Sequence, residues 1–149
     1  MLDFDADGVA RLRAALARIS RMIDREVSAG EMTRTQLSVL GSVARRGPLG
    51  VSELAAIEGL NPTMLSRILA KLEDADLVVR TADDADRRVV RVVVTATGER
   101  LHRQLGAERV RLLTERLQLL QTDSAAQILA ALPALEEFAA ELSRETVTE

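Results

Sequence analysis

The sequence predicts a mainly α-helical chain whose helical pattern is interrupted once by a two-stranded β-hairpin. Three observations carry this. Apolar residues recur at steps of three and four along most of the 149 residues. Residues 77–95 switch to β-branched runs too short for amphipathic helices. Immediately before that switch, two helical segments are joined by the tight turn Gly59-Leu60-Asn61-Pro62.

Residues 7–28 read as the first helix, with Val9, Leu12, Leu16, Ile19 and Ile23 in one stripe and Gly30 as the stop. Thr35 to Arg45 reads as the second, with Leu37, Leu40 and Ala44 on one face, and Gly47-Pro48 breaks it. Ser52 stands as the cap of a short helix through Leu54, Ala55 and Ile57 that ends at Gly59. Asn61 then caps a helix running to about Ala75, with Pro62 suited to its first turn. The strands are Leu77–Thr81 and Val89–Thr95, linked by a polar loop from Ala82 to Arg88. Two strands alone are marginal, so the hairpin must lean on the adjacent helices. Thr97 to Gln121 returns to helix, mildly interrupted at Gly106. Asp123 opens a last one through about Arg144, in which Pro133 should kink the helix or mark a break.

Composition narrows the function. The chain is 47% apolar and 29% charged, consistent with one soluble domain with a real core. Its only aromatic residues are Phe4 and Phe138, so it lacks the stacking platforms that single-strand and RNA binders use. Without cysteine there is no thiolate nucleophile, disulfide or thiolate metal site. A single histidine, His102, excludes a multi-histidine metal site within one chain. No Gly-rich phosphate loop is present. No catalytic residue, cofactor or metal is therefore expected, and the chain does not read as an enzyme. Nothing approaches a membrane-spanning apolar run, and Met1-Leu2-Asp3-Phe4-Asp5 lacks the basic and apolar regions of a signal peptide; the cytoplasm is the expected location.

The net charge of −3 argues against nucleic acid only until its distribution is considered. Residues 33–95 hold nine basic and eight acidic side chains, whereas 96–149 hold six and nine, so the acidity belongs to the C-terminal part. On a helical wheel of 63–74, Met64, Leu65, Ile68, Leu69 and Leu72 share one arc. Thr63, Ser66, Arg67, Ala70, Lys71, Glu73 and Asp74 share the other. A helix entering the major groove needs small residues for close approach and longer donors one turn in. Any amphipathic helix has a polar face; the preceding helix-turn and the following basic hairpin favour DNA over mere solvation. The candidate DNA-binding residues are Ser52, Asn61, Thr63, Ser66, Arg67 and Lys71, with Arg87 and Arg88 at the hairpin tip for the minor groove. Asp86, two residues before Arg88, is placed to orient a guanidinium or to pair with Arg80.

These residues resemble a known family. Val51-Ser52-Glu53-Leu54-Ala55, Asn61 to Arg67, Leu72-Glu73, Leu77 to Arg80, Asp86-Arg87-Arg88 and Leu101 are similar to the MarR family of bacterial regulators. The Asp86-x-Arg88 wing followed by Thr95-Ala96-Thr97-Gly98 is the most specific element. The resemblance implies a winged helix-turn-helix over 35–96 and a helical dimerisation region formed by 1–34 and 97–149. It also implies major-groove reading by the helix from Asn61, Arg88 in the minor groove, and repression as the commoner habit. Two features depart from the family pattern: Asp76 stands where glycine is usual between recognition helix and wing, and the absence of cysteine rules out sensing by thiol oxidation.

Leu12, Leu16, Ile19, Leu112, Leu117, Leu132, Leu135, Phe138 and Leu142 amount to more apolar surface than a lone winged helix covers. A two-fold homodimer would bury them and present two readers to a pseudo-palindromic duplex. The resemblance further implies a small-molecule effector, a phenolic or amphipathic acid, held between dimer helices and reader. Arg13, Arg18 and His102 are within its possible reach, though each reads more simply as a surface charge or a satisfied polar group. The competing reading is a winged helix used for protein–protein contact without DNA binding.

Overall fold

The computed structural model describes residues 5–27 and 30–145. The predicted end of the first helix at Ser28, the N-terminal residues 1–4 and the last four residues lie outside that range. The chain divides into two compact units, residues 1–109 and 110–149.

In the first unit α1 spans Ala6–Glu26, capped by the Asp5 carboxylate, and none of its side chains is buried. α2 (Arg34–Arg46) begins one residue earlier than expected because Thr33 and Gln36 form a reciprocal capping box. Its buried stripe is Val39, Leu40 and Val43, whereas Leu37 and Ala44 are only half-buried; the apolar face is rotated by about a residue from the expected one. β1 (Leu49–Gly50) was not anticipated: two residues show no period. α3 (Val51–Glu58) starts at Val51, not behind Ser52. Gly50 is the cap, and the Glu53 carboxylate reaches back to its N–H (3.3 Å). α4 spans Pro62–Asp74, with the Asn61 side chain accepting from the Met64 N–H at 2.8 Å, as the sequence predicts.

β2 (Val78–Ala82) and β3 (Val90–Val94) pair antiparallel from Val78↔Val94 to Ala82↔Val90. β1 adds to the far side of β3 through Leu49↔Val92 and Gly50↔Arg91, so the expected two-stranded hairpin is a three-stranded sheet ordered β1-β3-β2. This gives the hairpin its support: β3 is hydrogen-bonded on both sides, and Val92 on it is wholly inaccessible. The core joins α2, α3, α4 and this sheet, with Leu40, Leu54, Leu65, Leu69 and Leu72 at its centre. Ser42, buried in α2, donates its hydroxyl to the Glu58 carboxylate at the end of α3, so the polar group carries a partner into the core.

Asp76, between α4 and β2, adopts φ +57°, a left-handed conformation that glycine takes at no steric cost and Asp better than most residues. Its carbonyl accepts the Thr95 hydroxyl (2.6 Å), which holds the strained corner against the end of β3. Thr95 also accepts the Gly98 N–H (3.0 Å) and so starts α5 (Ala96–Gln118). At Gly98 a Cβ would stand 2.1 Å from the Leu77 carbonyl oxygen, so only glycine lets this helix leave the sheet so closely.

α5 continues through Gly106 into the second unit. There the single predicted last helix is two, α6 (Thr122–Ala130) and α7 (Leu132–Glu145), with the break beside Pro133 that its ring requires. Asp123 is not the cap but sits in the first turn of α6, where a carboxylate suits the helix dipole; Gln121 is at the cap position.

Candidate nucleic-acid interface

The reader is built around one corner. α3 ends at Gly59 in the left-handed conformation (φ +62°), Leu60 N–H closes onto the Ala55 carbonyl (3.0 Å), and Asn61 starts α4 two residues on. The inner face of α4 is anchored by Leu65, Leu69 and Leu72, all buried. That anchoring leaves Thr63, Ser66, Arg67 and Lys71 on the exposed side, together with Ser52 in the first turn of α3. Met64 is the exception to the wheel: assigned to the apolar arc, it is 50% exposed. It lies at the edge of that arc and lines a groove with Asn61, Thr63, Arg67 and Lys71, whose opposite wall is Thr33, Thr35 and Gln36 at the start of α2. The α2 wall was missed in the sequence because its only signal, the Thr33-x-x-Gln36 box, marks a helix start and carries no charge pattern.

The wing carries Arg87 and Arg88 exposed in the loop between β2 and β3. Among the described residues neither they nor Arg67 and Lys71 has a carboxylate partner. Asp86 accepts the backbone N–H of Arg88 (3.0 Å), so it shapes the loop under the arginine rather than holding its guanidinium. Arg80 pairs with Glu73 of α4 (3.7 Å), not with Asp86, and ties the wing strand to the end of the reading helix. Asp83 accepts from Ala85 N–H (2.9 Å), Asp86 N–H (3.2 Å) and the Arg91 guanidinium (2.8 Å). The Arg91 bond foremost, then the two backbone bonds, holds its carboxyl below the ordinary 3.8.

A sequence profile of the MarR family matches residues 32–90, which run from the start of α2 to the start of β3. Mb0904 of Mycobacterium bovis, an uncharacterized HTH-type transcriptional regulator, is 32% identical over 89% of this chain and 96% of its own. The chain belongs to the MarR family. A transcriptional regulator from Pseudomonas aeruginosa has a solved structure that matches at TM-score 0.81 and 31% identity, covering 93% of this chain and 98% of its own. A variant of Staphylococcus aureus MepR, solved bound to an oligodeoxyribonucleotide, shares the fold at TM-score 0.65 and 18% identity, over 92% and 99% of the two chains. As a MarR family member the chain is a DNA-binding transcriptional regulator, not an enzyme. Among the described residues no helix is long and apolar enough to cross a membrane.

This MarR family chain also has a cavity of about 820 Å³ within its first unit. Arg18, Arg21 and Arg25 of α1, Arg34 and Arg45 of α2, and His102 and Arg109 of α5 line it, against the single carboxylate of Asp24. That carboxylate is already committed to Arg34 at 3.1 Å. Met22, Val27, Met32 and Leu37 supply apolar wall. Of the three residues that the sequence offered for such a cleft, Arg18 and His102 line it and Arg13 does not. Burial, then the positive charges of Arg45 and Arg109, lowers the His102 pKa below its ordinary 6.5. At neutral pH its ring is accordingly an uncharged hydrogen-bonding group among cations.

Proposed function

We propose that the chain is a homodimeric repressor that reads a pseudo-palindromic duplex operator and is released by a small amphipathic anion. The observation that carries the reading is the exposed face of α4: small hydroxyl residues Thr63 and Ser66, then Arg67 and Lys71 with no carboxylate partner among the described residues. Unpaired cations beside small residues suit a phosphate-lined groove, where each contact releases counterions. In this reading Arg67 meets a base edge, Lys71 a phosphate, and Ser52 and Asn61 fix the register on the backbone. Arg88, with Arg87, enters the minor groove, while Asp86 and Arg80 hold the wing in place. The MepR variant's oligodeoxyribonucleotide complex supports it at the level of the shared fold.

Residues 35–96 then form the DNA-binding domain, and 1–34 with 97–149 the dimerisation region. The exposure of Leu12, Leu16 and Ile19 on α1, and separately of Leu132, Leu135, Phe138 and Leu142 on α7, supports a second copy as their cover. Leu112 and Leu117 of α5 are half-buried, and in this reading the second copy completes their cover. The arginine-lined cavity supports an effector with an anionic head and an apolar body, because its walls hold both kinds of partner. An operator-binding protein of this kind works in the cytoplasm.

The test is selection of bound sequences from a random duplex pool at two salt concentrations. A palindrome with half-sites about 34 Å apart, bound less tightly as salt rises, is the expected result. No enrichment at low salt would overturn DNA reading in favour of a protein-contact module. Light scattering that finds only monomer at micromolar concentration would overturn the dimer. A thermal-shift screen of aromatic carboxylates with no stabilising compound would count against the effector.

A further inference from the structure

We propose that Arg91, which is not among the residues assigned to DNA contact, is the positioning residue that locks the wing to the helix-turn-helix. The inference rests on the wing arginine reading DNA, and adds how its position is set. Arg91 lies on β3, the central strand, opposite Thr81 of β2 and Gly50 of β1. Its guanidinium spans two elements. Nε donates to Asp83 at the root of the wing loop (2.8 Å), and Nη1 reaches the Glu53 carboxylate in the first turn of α3 (3.8 Å).

Both carboxylates do second jobs. Glu53 caps α3 through the Gly50 N–H (3.3 Å), so its position is fixed by the helix-turn-helix itself. Asp83 uses its other oxygen to accept the N–H groups of Ala85 and Asp86, which folds the loop. Asp86 in turn accepts the N–H of Arg88 at 3.0 Å. The chain Glu53–Arg91–Asp83–Asp86–Arg88 is therefore a continuous run of charged and hydrogen-bonded contacts from the first helix of the reader to the wing tip. The seven-residue loop from Asp83 to Val89, five of its residues charged, closes on itself through backbone hydrogen bonds between Asp83, Asp86 and Val89, and this run is what ties it to α3. A planar guanidinium suits the place, since it presents separate N–H donors to two carboxylates, which an ammonium does less well.

Arg91 acts through others, so its test reads the wing without and with DNA. In the free protein, Arg91→Ala is expected to speed amide exchange at Ala85, Asp86 and Arg88 by about tenfold, with exchange in α4 unchanged. Arg91→Lys is expected to restore part of the protection. With DNA, Arg88→Ala should weaken operator binding by about tenfold in the native background and by less than about twofold in the Arg91→Ala background. Should Arg91→Ala fail to fold, Glu53→Gln gives the same reading more gently, because the amide oxygen keeps the Gly50 cap while the charge pair to Arg91 is lost. Unchanged loop exchange, or an equal cost of Arg88→Ala in both backgrounds, would overturn the proposal. A native protein that binds no DNA would sink the proposed function instead, leaving the exchange experiment to judge the clamp.

Discussion

The winged segment and the terminal helices use apolar residues in opposite ways. From α2 to β3, leucines and valines of three helices and a sheet are withdrawn from solvent, and the polar residues left outside fall on a helix face and a loop tip. α1 and α6 bury no side chain at all, and along α7 Phe138 remains 46% exposed. The apolar stripes are just as regular in both. What differs is that the winged segment meets its own partners within the chain, whereas the terminal helices present theirs outward. The winged segment thus has its apolar partners within the chain, and for the terminal helices the proposed second copy would supply them.

The largest effect expected is in the winged core. Leu69→Ala removes a wholly buried side chain and should cost about 2–5 kcal/mol in urea unfolding, independent of protein concentration. A concentration-dependent loss would erase the contrast between the two regions. The next effect belongs to the terminal helices. Leu16→Asp or Phe138→Asp should weaken self-association by at least about 2 kcal/mol, roughly thirtyfold in sedimentation equilibrium. The circular dichroism of the winged segment should survive.

Smaller changes sharpen the division on the reading face. Arg67→Ala should cost about 1–3 kcal/mol in operator affinity and relax preference at one base position in each half-site, with thermal stability unchanged. Loss without any change in sequence preference would move Arg67 from base to phosphate.

The smallest effect concerns His102. Its pKa is depressed in the folded protein, chiefly by burial, so the unfolded chain takes up a proton first as pH falls through 6.5. Folding stability must then decline from about that pH downward, until the folded state also protonates at its lower pKa. His102→Gln should flatten this part of the stability profile. A profile that is equally steep in the variant would place the acid sensitivity elsewhere. At Asp83 the sign is the same but the cause differs, since bonding favours its charged form: the depressed carboxyl favours the folded wing above its ordinary 3.8, and the benefit is lost as pH falls from there through the lower folded value. Loop protection should therefore hold at pH 5.

Much of the reader was legible because its signals are local. Asn61-Pro62 states a helix start with its own cap, and the β-branched runs on either side of the charged loop state a hairpin. Asp76 was legible as a residue able to replace glycine, and it does take the left-handed conformation. The rest was hidden where the deciding partner is distant in sequence. The strand Leu49–Gly50 exists only because β3, some forty residues on, offers its free edge. Met64 satisfied the helical period yet is half exposed, since the wheel reports direction and says nothing of whether another element lies there.

Arg91 shows the same limit most clearly. In the sequence it is a lone charge in a valine run; in the fold it joins Glu53 and Asp83, thirty-eight residues before it and eight before it. By itself, then, the sequence determined which segments are helix or strand, which face of α4 is polar, and which chemistries are absent, because these follow from backbone preference, period and composition. Tertiary structure alone decided the third strand, the clamp beneath the wing and the arginine-lined cavity. Each is a meeting of side chains from separate elements, and such meetings depend on packing that no local pattern encodes.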